Sequence, residues 1–90
     1  MSEVTDNTEE HRFELMVEGQ RAETYYSLEG KVMTFTHTDV PQILAGRGIG
    51  SKIVKGALDQ ARARGLKVKA TCPFVSAYLG KHKEYADLIA

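Results

Sequence analysis

A glycine-rich segment, residues 46–50, carries the clearest chemical signal in the 90-residue sequence. It has glycine at every second position and lies between Pro41, which ends a β-rich region, and an amphipathic segment typical of a helix. The first amides of a helix have no partner within it and carry the positive end of the helix dipole. Such a start favours binding of phosphate or pyrophosphate, to which Arg47, Ser51 and Lys52 could add charge and hydrogen bonds. The alternative is a glycine-rich loop with a purely structural role.

Cys72 and His37 are the two residues whose side chains could take part in a reaction. A cysteine thiolate is a nucleophile, and a histidine can act as a base or favour ionisation of a neighbouring thiol. A lone cysteine is more often a small buried hydrophobic residue, and a histidine often makes a structural hydrogen bond. The sequence leaves both interpretations open for each residue.

Three strands are predicted before the glycine-rich segment, at about residues 12–18, 22–29 and 31–39. In each segment, successive side chains alternate between the two faces expected of a strand. The turn residues Gly19-Gln20 and Glu29-Gly30 separate the segments, which is typical of an antiparallel meander. In the third strand, alternation places Val32, Thr34, Thr36 and Thr38 on one face and Met33, Phe35 and His37 on the other. Residues 1–10 are acidic and without periodicity, so they are predicted to be a disordered tail ahead of a domain over residues 11–90.

A helix, a fourth strand and a short second helix are predicted to follow the glycines. The first helix covers about residues 48–64 and Gly65 suits its end. Residues 66–71 alternate like a strand, and Pro73 suits the first turn of a helix over 74–82. With a terminal turn or helix at 84–89, the order βββαβα predicts an α/β (α+β) fold.

The composition argues against several classes of protein. Ninety residues, 42% of them hydrophobic, predict one globular domain. One cysteine allows no intrachain disulfide, and the histidines lack the spacing of zinc ligands. No stretch has the pattern of a signal peptide or approaches the roughly 20 apolar residues of a membrane span. We therefore expect a cytoplasmic protein that binds no metal and no membrane.

The charge is unevenly distributed. The net charge is zero, but residues 47–69 hold seven basic residues against one acidic residue, Asp59. This region should attract anions, although a solvated helix face accounts equally well for most of these side chains. Nucleic-acid binding is the weakest hypothesis, because no aromatic residues alternate with the charges.

Two common phosphate-binding motifs do not fit residues 46–52. A P-loop has lysine directly after its last glycine, whereas here Ser51 precedes Lys52. The dinucleotide fingerprint needs a third glycine where Ser51 stands and an acidic residue about 20 positions later. The pattern that fits is Gln/Arg-x-x-Gly-x-Gly/Ala, which is the pyrophosphate loop of GCN5-related N-acetyltransferases (GNATs). This sequence departs from it at the first position, where Ala45 stands.

The segments on either side extend this match. Upstream lies Thr36-His37-Thr38-Asp39-Val40-Pro41, and downstream lies Thr71-Cys72-Pro73-Phe74-Val75, followed by Tyr78. Together with the glycines, these segments resemble a family of small, single-domain GNAT-like acetyltransferases. The resemblance covers roughly residues 25–88.

The resemblance implies a site for acetyl-CoA between the third and fourth strands, which should diverge into a V-shaped slot. Backbone groups near Asp39 and Val40 would pair with the pantetheine amides, and amides of residues 47–51 would hold the pyrophosphate. Cys72 would lie near the thioester at the end of the fourth strand. The residues implied on the cofactor are Asp39, Val40, Arg47, Gly48, Ile49, Gly50, Ser51, Lys52, Phe74, Val75 and Tyr78.

Several chemical roles follow from this resemblance. Cys72 could accept the acetyl group and pass it on, with His37 as a base or as a group that favours the thiolate. Direct transfer from acetyl-CoA to an amine needs only an acid and a base, so Cys72 could also be a bystander. Tyr78 could protonate the leaving thiolate, although core packing is its simpler role.

The first functional hypothesis is an N-acetyltransferase that modifies a primary amine on a small molecule or a protein lysine. The alternative is a module that binds CoA without turnover, for example a regulatory subunit. The chain has no room for the further elements that shape the acceptor pocket in larger relatives. We therefore expect an open acceptor side, which a protein partner could complete.

Overall fold

The computed structural model describes residues 3–90 and folds them into one mixed sheet with helices on one face. Its strands are β1 (Thr5–Asn7), β2 (Arg12–Val17), β3 (Gln20–Glu29), β4 (Val32–Asp39) and β5 (Lys67–Ala70). Its helices are α1 (Ile49–Ala63) and α2 (Pro73–Lys81), with short 3₁₀ helices at Gln42–Leu44 and Lys83–Leu88. The predicted α/β class and the order from β2 to α2 are confirmed.

The sheet has the strand order β1-β2-β3-β4-β5, antiparallel as far as β4 and parallel between β4 and β5. Alternate side chains of β2 and β4, such as Phe13 and Phe35, are fully buried in one core with Ile53 and Leu58 of α1. Apolar residues at four-residue spacing thus give α1 one buried face. The helix α2 joins the same core through Val75.

The beginning of the chain differs from its prediction. Thr5–Asn7 pair with β2, although residues 1–10 were predicted to be a disordered tail; residues 1–2 lie outside the described residues. The Tyr26 hydroxyl donates to Asp6 at 2.6 Å, Arg64 pairs with Asp6 at 2.8 Å, and Val4 is buried in the core. Burial and the Asp6 carboxylate raise the pKa of Tyr26 to about 12. Long-range partners therefore stabilise a segment whose own sequence has no periodicity.

A β-bulge at Thr36 changes which side chains of β4 share a face. Tyr25 pairs with His37 and Tyr26 with Phe35, so Thr36 is an extra residue on β4. Thr38 pairs with Thr24, which is fully buried, so Thr38 lies on the helix-covered face together with Phe35. His37 lies on the opposite, open face. The predicted alternation, which put His37 with Phe35 and Thr38 opposite them, is therefore wrong beyond Thr36.

The ladder between β4 and β5 ends at Phe35. The last pair in their ladder is Phe35 with Ala70, yet β4 continues to Asp39. The amides of Thr71 and Cys72 both donate to the Phe35 carbonyl, at 3.0 and 3.1 Å. Because β5 ends at Ala70, the β5 side of β4 has no strand partner over residues 36–39, and this unpaired stretch is called the gap between β4 and β5.

The C-terminal 3₁₀ helix is fastened to α1 by polar contacts. The Tyr85 hydroxyl donates to Asp59 at 2.6 Å, and Arg62 forms a bidentate pair with Asp87. Lys67 of β5 also donates to the Asp87 carbonyl, at 2.6 Å. These contacts hold the segment after α2 against the helix that follows the glycines.

Replacing Tyr85 with phenylalanine is expected to lower the free energy of unfolding by about 1 kcal/mol at neutral pH, because one hydrogen bond is lost. Burial and then the Asp59 hydrogen bond raise the pKa of Tyr85. Its protonated hydroxyl therefore stabilises the fold fully below the ordinary value of about 10, and this contribution is lost as the pH rises through the folded-state pKa. Urea unfolding between about pH 8 and 11 should show a steeper loss for wild type than for Tyr85→Phe. Parallel losses would contradict the role of this hydroxyl.

Candidate functional site

The glycine-rich segment forms a tight loop at the start of α1. Gly46 has φ +82° and Gly48 has φ +71°, a left-handed conformation that glycine adopts at little cost. Gly48 is the residue before the first turn of α1, and no side chain caps that turn. The first helical hydrogen bond from Lys52 reaches the Gly48 carbonyl at 3.0 Å. The amides ahead of Lys52 are thus available to an anion.

A pocket of about 250 Å³ lies over this helix start. Its lining residues are Val40, Leu44, Ala45, Gly46, Gly48, Ile49, Gly50, Ser51 and Phe74. A Cβ atom added at Gly46 or Gly48 would meet no atom within 4 Å, so both glycines border open space. Six of the residues predicted on the cofactor therefore meet at one pocket, and sequence analysis missed Leu44, an apolar residue in a loop.

The third glycine has a different function in the structure. A Cβ atom at Gly50 would lie only 2.6 Å from Cζ of Phe74. The absence of a side chain at Gly50 therefore allows the first turn of α2 to approach α1 closely. Phe74 remains 44% exposed and forms part of the pocket wall.

Two predicted basic residues lie beside this pocket, but each has a carboxylate partner. Arg47 Nη1 is 2.6 Å from Oε2 of Glu18, in the turn between β2 and β3. Lys52 Nζ is 3.7 Å from Oε1 of Glu3. Sequence analysis missed both carboxylates, because residues far apart in the chain form each pair.

The remaining predicted residues of β4 lie along the gap between β4 and β5. Asp39 ends β4, and Val40 is half-buried at the pocket. His37 is exposed on the open face, with its ring 5.9 Å from that of Tyr25. The backbone of this part of β4 is paired only with β3 on its other side.

Cys72 lies at the point where β4 and β5 separate. Its side chain is buried, with Sγ 3.4 Å from Oγ1 of Thr38, which is itself 3.0 Å from Oγ1 of Thr24. A chain of two hydroxyls thus leads to the thiol from the interior. The structure brings Thr38 to Cys72, whereas the predicted neighbour His37 lies on the other face of the sheet.

Two predicted residues of α2 lie away from the pocket wall. Val75 is fully buried in the core. The Tyr78 ring stacks on His82 with the ring centroids 4.0 Å apart, and it also contacts Tyr85. Burial raises the pKa of Tyr78, whereas the nearby Lys55 charge lowers it. Tyr78 thus faces the C-terminal segment.

The open face of the sheet carries an ordered polar network next to His37. Arg12 Nε is 2.6 Å from Glu14 and 3.2 Å from Glu23, and the Tyr25 hydroxyl donates to Glu23 at 2.9 Å. Hydrogen bonds from Asn7 and then Arg12 lower the pKa of Glu14. This network holds Tyr25 beside His37, so the open face is polar at the gap.

Residues 3–90 contain neither a candidate metal site nor a helix that could span a membrane. No group of three or more His, Cys, Asp and Glu side chains in this range is placed to hold a metal ion. No helix in the same range is long and apolar enough to cross a membrane.

Comparison with known protein families defines the class of this protein. The model of the family described as GCN5-related N-acetyl-transferase matches residues 12–88. The chain therefore belongs to that family, and the resemblance seen in its motifs is confirmed.

The chain is also similar to individual proteins. The chain is 32% identical over 79 residues to protein NATD1 of Mus musculus, which covers 84% of this chain and 72% of that protein. It is 37% identical over 60 residues to protein NATD1 of Homo sapiens, and there it spans about half (53%) of the relative's length. The solution structure of a GCN5-like candidate N-acetyltransferase from Staphylococcus aureus superposes with a TM-score of 0.74 and 29% identity, covering 100% of this chain and 91% of that one.

Proposed function

We propose that this protein transfers an acetyl group from acetyl-CoA to a primary amine, on a small molecule or on a protein lysine. The observation that carries the proposal is the uncapped start of α1, where two left-handed glycines border a pocket. This pocket also includes Val40, directly after the part of β4 that has separated from β5. The proposal thus draws support from an uncapped helix start that lies next to backbone groups of β4 without a strand partner.

The chain offers a partner for each part of acetyl-CoA. Amides of residues 47–51 and the dipole of α1 would hold the pyrophosphate. Backbone groups of Asp39 and Val40 would pair with the pantetheine arm, since β5 no longer occupies that side of β4. Phe74 would cover the arm from α2. When bound, acetyl-CoA supplies the activated acetyl thioester.

Cys72 and His37 take the two catalytic roles in this proposal. The Cys72 thiolate would attack the thioester carbon of acetyl-CoA, so that the acetyl group moves to Sγ and the CoA thiolate leaves. The amine would then attack this acetyl group and release the Cys72 thiolate, to which Thr38 Oγ1, 3.4 Å away, can donate. His37 is exposed on the open face at the same gap and would take the proton from an amine that attacks from there. The two residues thus act from opposite faces of the sheet. Given its single buried cysteine, we expect the protein in the cytoplasm, where thiols stay reduced.

Replacing His37 with glutamine is expected to lower turnover about a hundredfold while the affinity for acetyl-CoA stays the same, because a general base is lost. The loss should be smaller at high pH, where more of the amine is already deprotonated. Initial rates across a pH series measure this. Thr36→Val is a control on the same strand and should retain full turnover; an undiminished rate in His37→Gln would contradict the assignment.

Calorimetric titration with acetyl-CoA, with CoA and ADP as controls, tests the proposal directly. We expect acetyl-CoA and CoA to bind, and an assay of released thiol with a panel of amines to show turnover. Chemical-shift changes should be centred on residues 47–52 and Cys72. Absence of binding up to millimolar acetyl-CoA would overturn the proposal.

A CoA-binding module without turnover is the second candidate. It is favoured by the open face of the sheet, on which no helix packs among residues 3–90, so that an acceptor meets only exposed side chains such as His37. A protein partner would then complete the acceptor pocket. Tight binding of acetyl-CoA without acetylation of any amine in the panel would favour this candidate over the enzyme.

A further inference from the structure

We infer that Glu18 sets the affinity of the proposed CoA site by competing with ligand phosphates for Arg47. The inference rests on the proposed function, because it concerns the same pocket. It assigns a role to a residue of the β2–β3 turn, which lies outside the glycine-rich segment and outside every residue predicted on the cofactor.

The turn that carries Glu18 is short and well defined. Val17 pairs with Gln20, so only Glu18 and Gly19 connect β2 with β3. Both have positive φ, +51° and +77°, as in the type I′ turn of a two-residue hairpin. Such turns favour Asn, Asp or Gly at the position of Glu18, and left-handed φ is unfavourable for a glutamate. The backbone conformation of the turn therefore gives no reason for a glutamate at position 18, whereas the contact made by the Glu18 side chain does.

That contact is an ion pair with the glycine loop. Glu18 Oε2 lies 2.6 Å from Nη1 of Arg47, which stands between two glycines that line the pocket. The second basic residue beside the pocket, Lys52, lies 3.7 Å from Glu3. The charges of both cations are thus offset by carboxylates of this chain before a ligand arrives.

This offset lowers the attraction of the site for any pyrophosphate group. A ligand must share Arg47 with Glu18 or displace it, which reduces the affinity for CoA and for ADP by a similar factor. Because the factor is similar for both ligands, the ratio of their affinities does not change. Glu18 therefore sets the absolute affinity of the site, and with it the ligand concentration at which the site fills.

The expected effect is modest, because both side chains are largely exposed, Arg47 at 47% and Glu18 at 66%. Removing an exposed ion-pair partner changes equilibria by up to about fivefold. We expect Glu18→Gln to bind CoA and ADP about two- to fivefold more tightly at low salt. The gain should shrink at about 1 M salt, where the Debye length is near 3 Å.

The test is a double-mutant cycle by calorimetry, with CoA and ADP titrated into wild type, Glu18→Gln, Arg47→Gln and the double variant. Glu29→Gln is the matched control, because it changes the net charge equally but lies at the far end of β3, about 30 Å from Glu18 by strand length. We expect tighter binding only in Glu18→Gln, and no gain from that change once Arg47 is glutamine.

Three other outcomes would each contradict the role of Glu18, and only the last of them would also contradict the proposed function. Equal or weaker binding by Glu18→Gln, with wild type binding CoA, overturns the role of Glu18 and leaves the CoA site standing. A gain that persists in the Arg47→Gln background, or that Glu29→Gln reproduces, overturns the competition for Arg47. Failure of wild type and Glu18→Gln alike to bind CoA overturns both.

Discussion

Replacing Gly48 with valine is expected to weaken CoA binding at least tenfold in a protein that still folds. Gly48 has φ +71°, and an added Cβ would meet no protein atom within 4 Å, so the new side chain would extend into the pocket it lines. Two branched methyl groups there would block the approach of a pyrophosphate to the α1 amides. Left-handed backbone costs a non-glycine residue about 1–2 kcal/mol, so some loss of stability is expected as well.

Gly65 provides the control for that loss of stability. It lies just beyond the other end of α1, also with φ +71° and with no atom within 4 Å of an added Cβ. Gly65→Val should therefore be destabilised about as much as Gly48→Val but should bind CoA like wild type. Calorimetry together with urea unfolding of both variants separates the two effects. Unchanged CoA affinity in folded Gly48→Val would refute the pocket as the phosphate site.

Replacing Cys72 with alanine is expected to abolish turnover, with a loss of at least about a hundredfold, while acetyl-CoA still binds. The reason is the proposed transfer through the thiol, which also predicts ping-pong kinetics and an acetyl adduct on Cys72 when no amine is present. Rates of thiol release, calorimetry and mass spectrometry of the trapped protein measure the three consequences. Full turnover in Cys72→Ala would exclude transfer of the acetyl group through this thiol.

Thr38 offers a finer version of the same experiment. Thr38→Val removes the hydroxyl 3.4 Å from Cys72 Sγ with little change in shape, whereas Thr38→Ser keeps it. We expect turnover to fall in the first variant and to recover in the second. Thr36→Val, on the exposed bulge of the same strand, should have no effect. Equal rates in Thr38→Val and wild type would exclude a role for this hydroxyl.

The parts of the site that could be predicted from sequence are the local ones. The glycines of residues 46–50 and the amphipathic pattern of α1 are contiguous, so the position of the pocket follows from them. The pairs Arg47–Glu18 and Lys52–Glu3 could not be predicted, because each joins residues about thirty or more positions apart. No local pattern encodes which exposed charges meet in the folded chain.

The predicted faces of β4 beyond Phe35 were wrong for a different reason. Beyond Phe35 it reads Thr-His-Thr-Asp, with no apolar residue to indicate which face is buried. Only the pairing with β3, where the buried Thr24 meets Thr38, fixes the register. The edge strand β1 could not be predicted either, because its residue Asp6 is held by Tyr26 and Arg64, which lie in other parts of the chain.

The bulge at Thr36 also bears on how this strand can change during evolution. Inserting or deleting one codon in a regular strand reverses every side chain that follows, and would exchange residues of the pocket side with residues of the solvent side. Here the extra residue is absorbed locally, because His37 still pairs with Tyr25 and Phe35 with Tyr26. Loss of the Thr36 codon would leave a regular strand with His37 and Thr38 on their present faces. The length of this segment can therefore vary by one residue among relatives without changing which side chains reach Cys72.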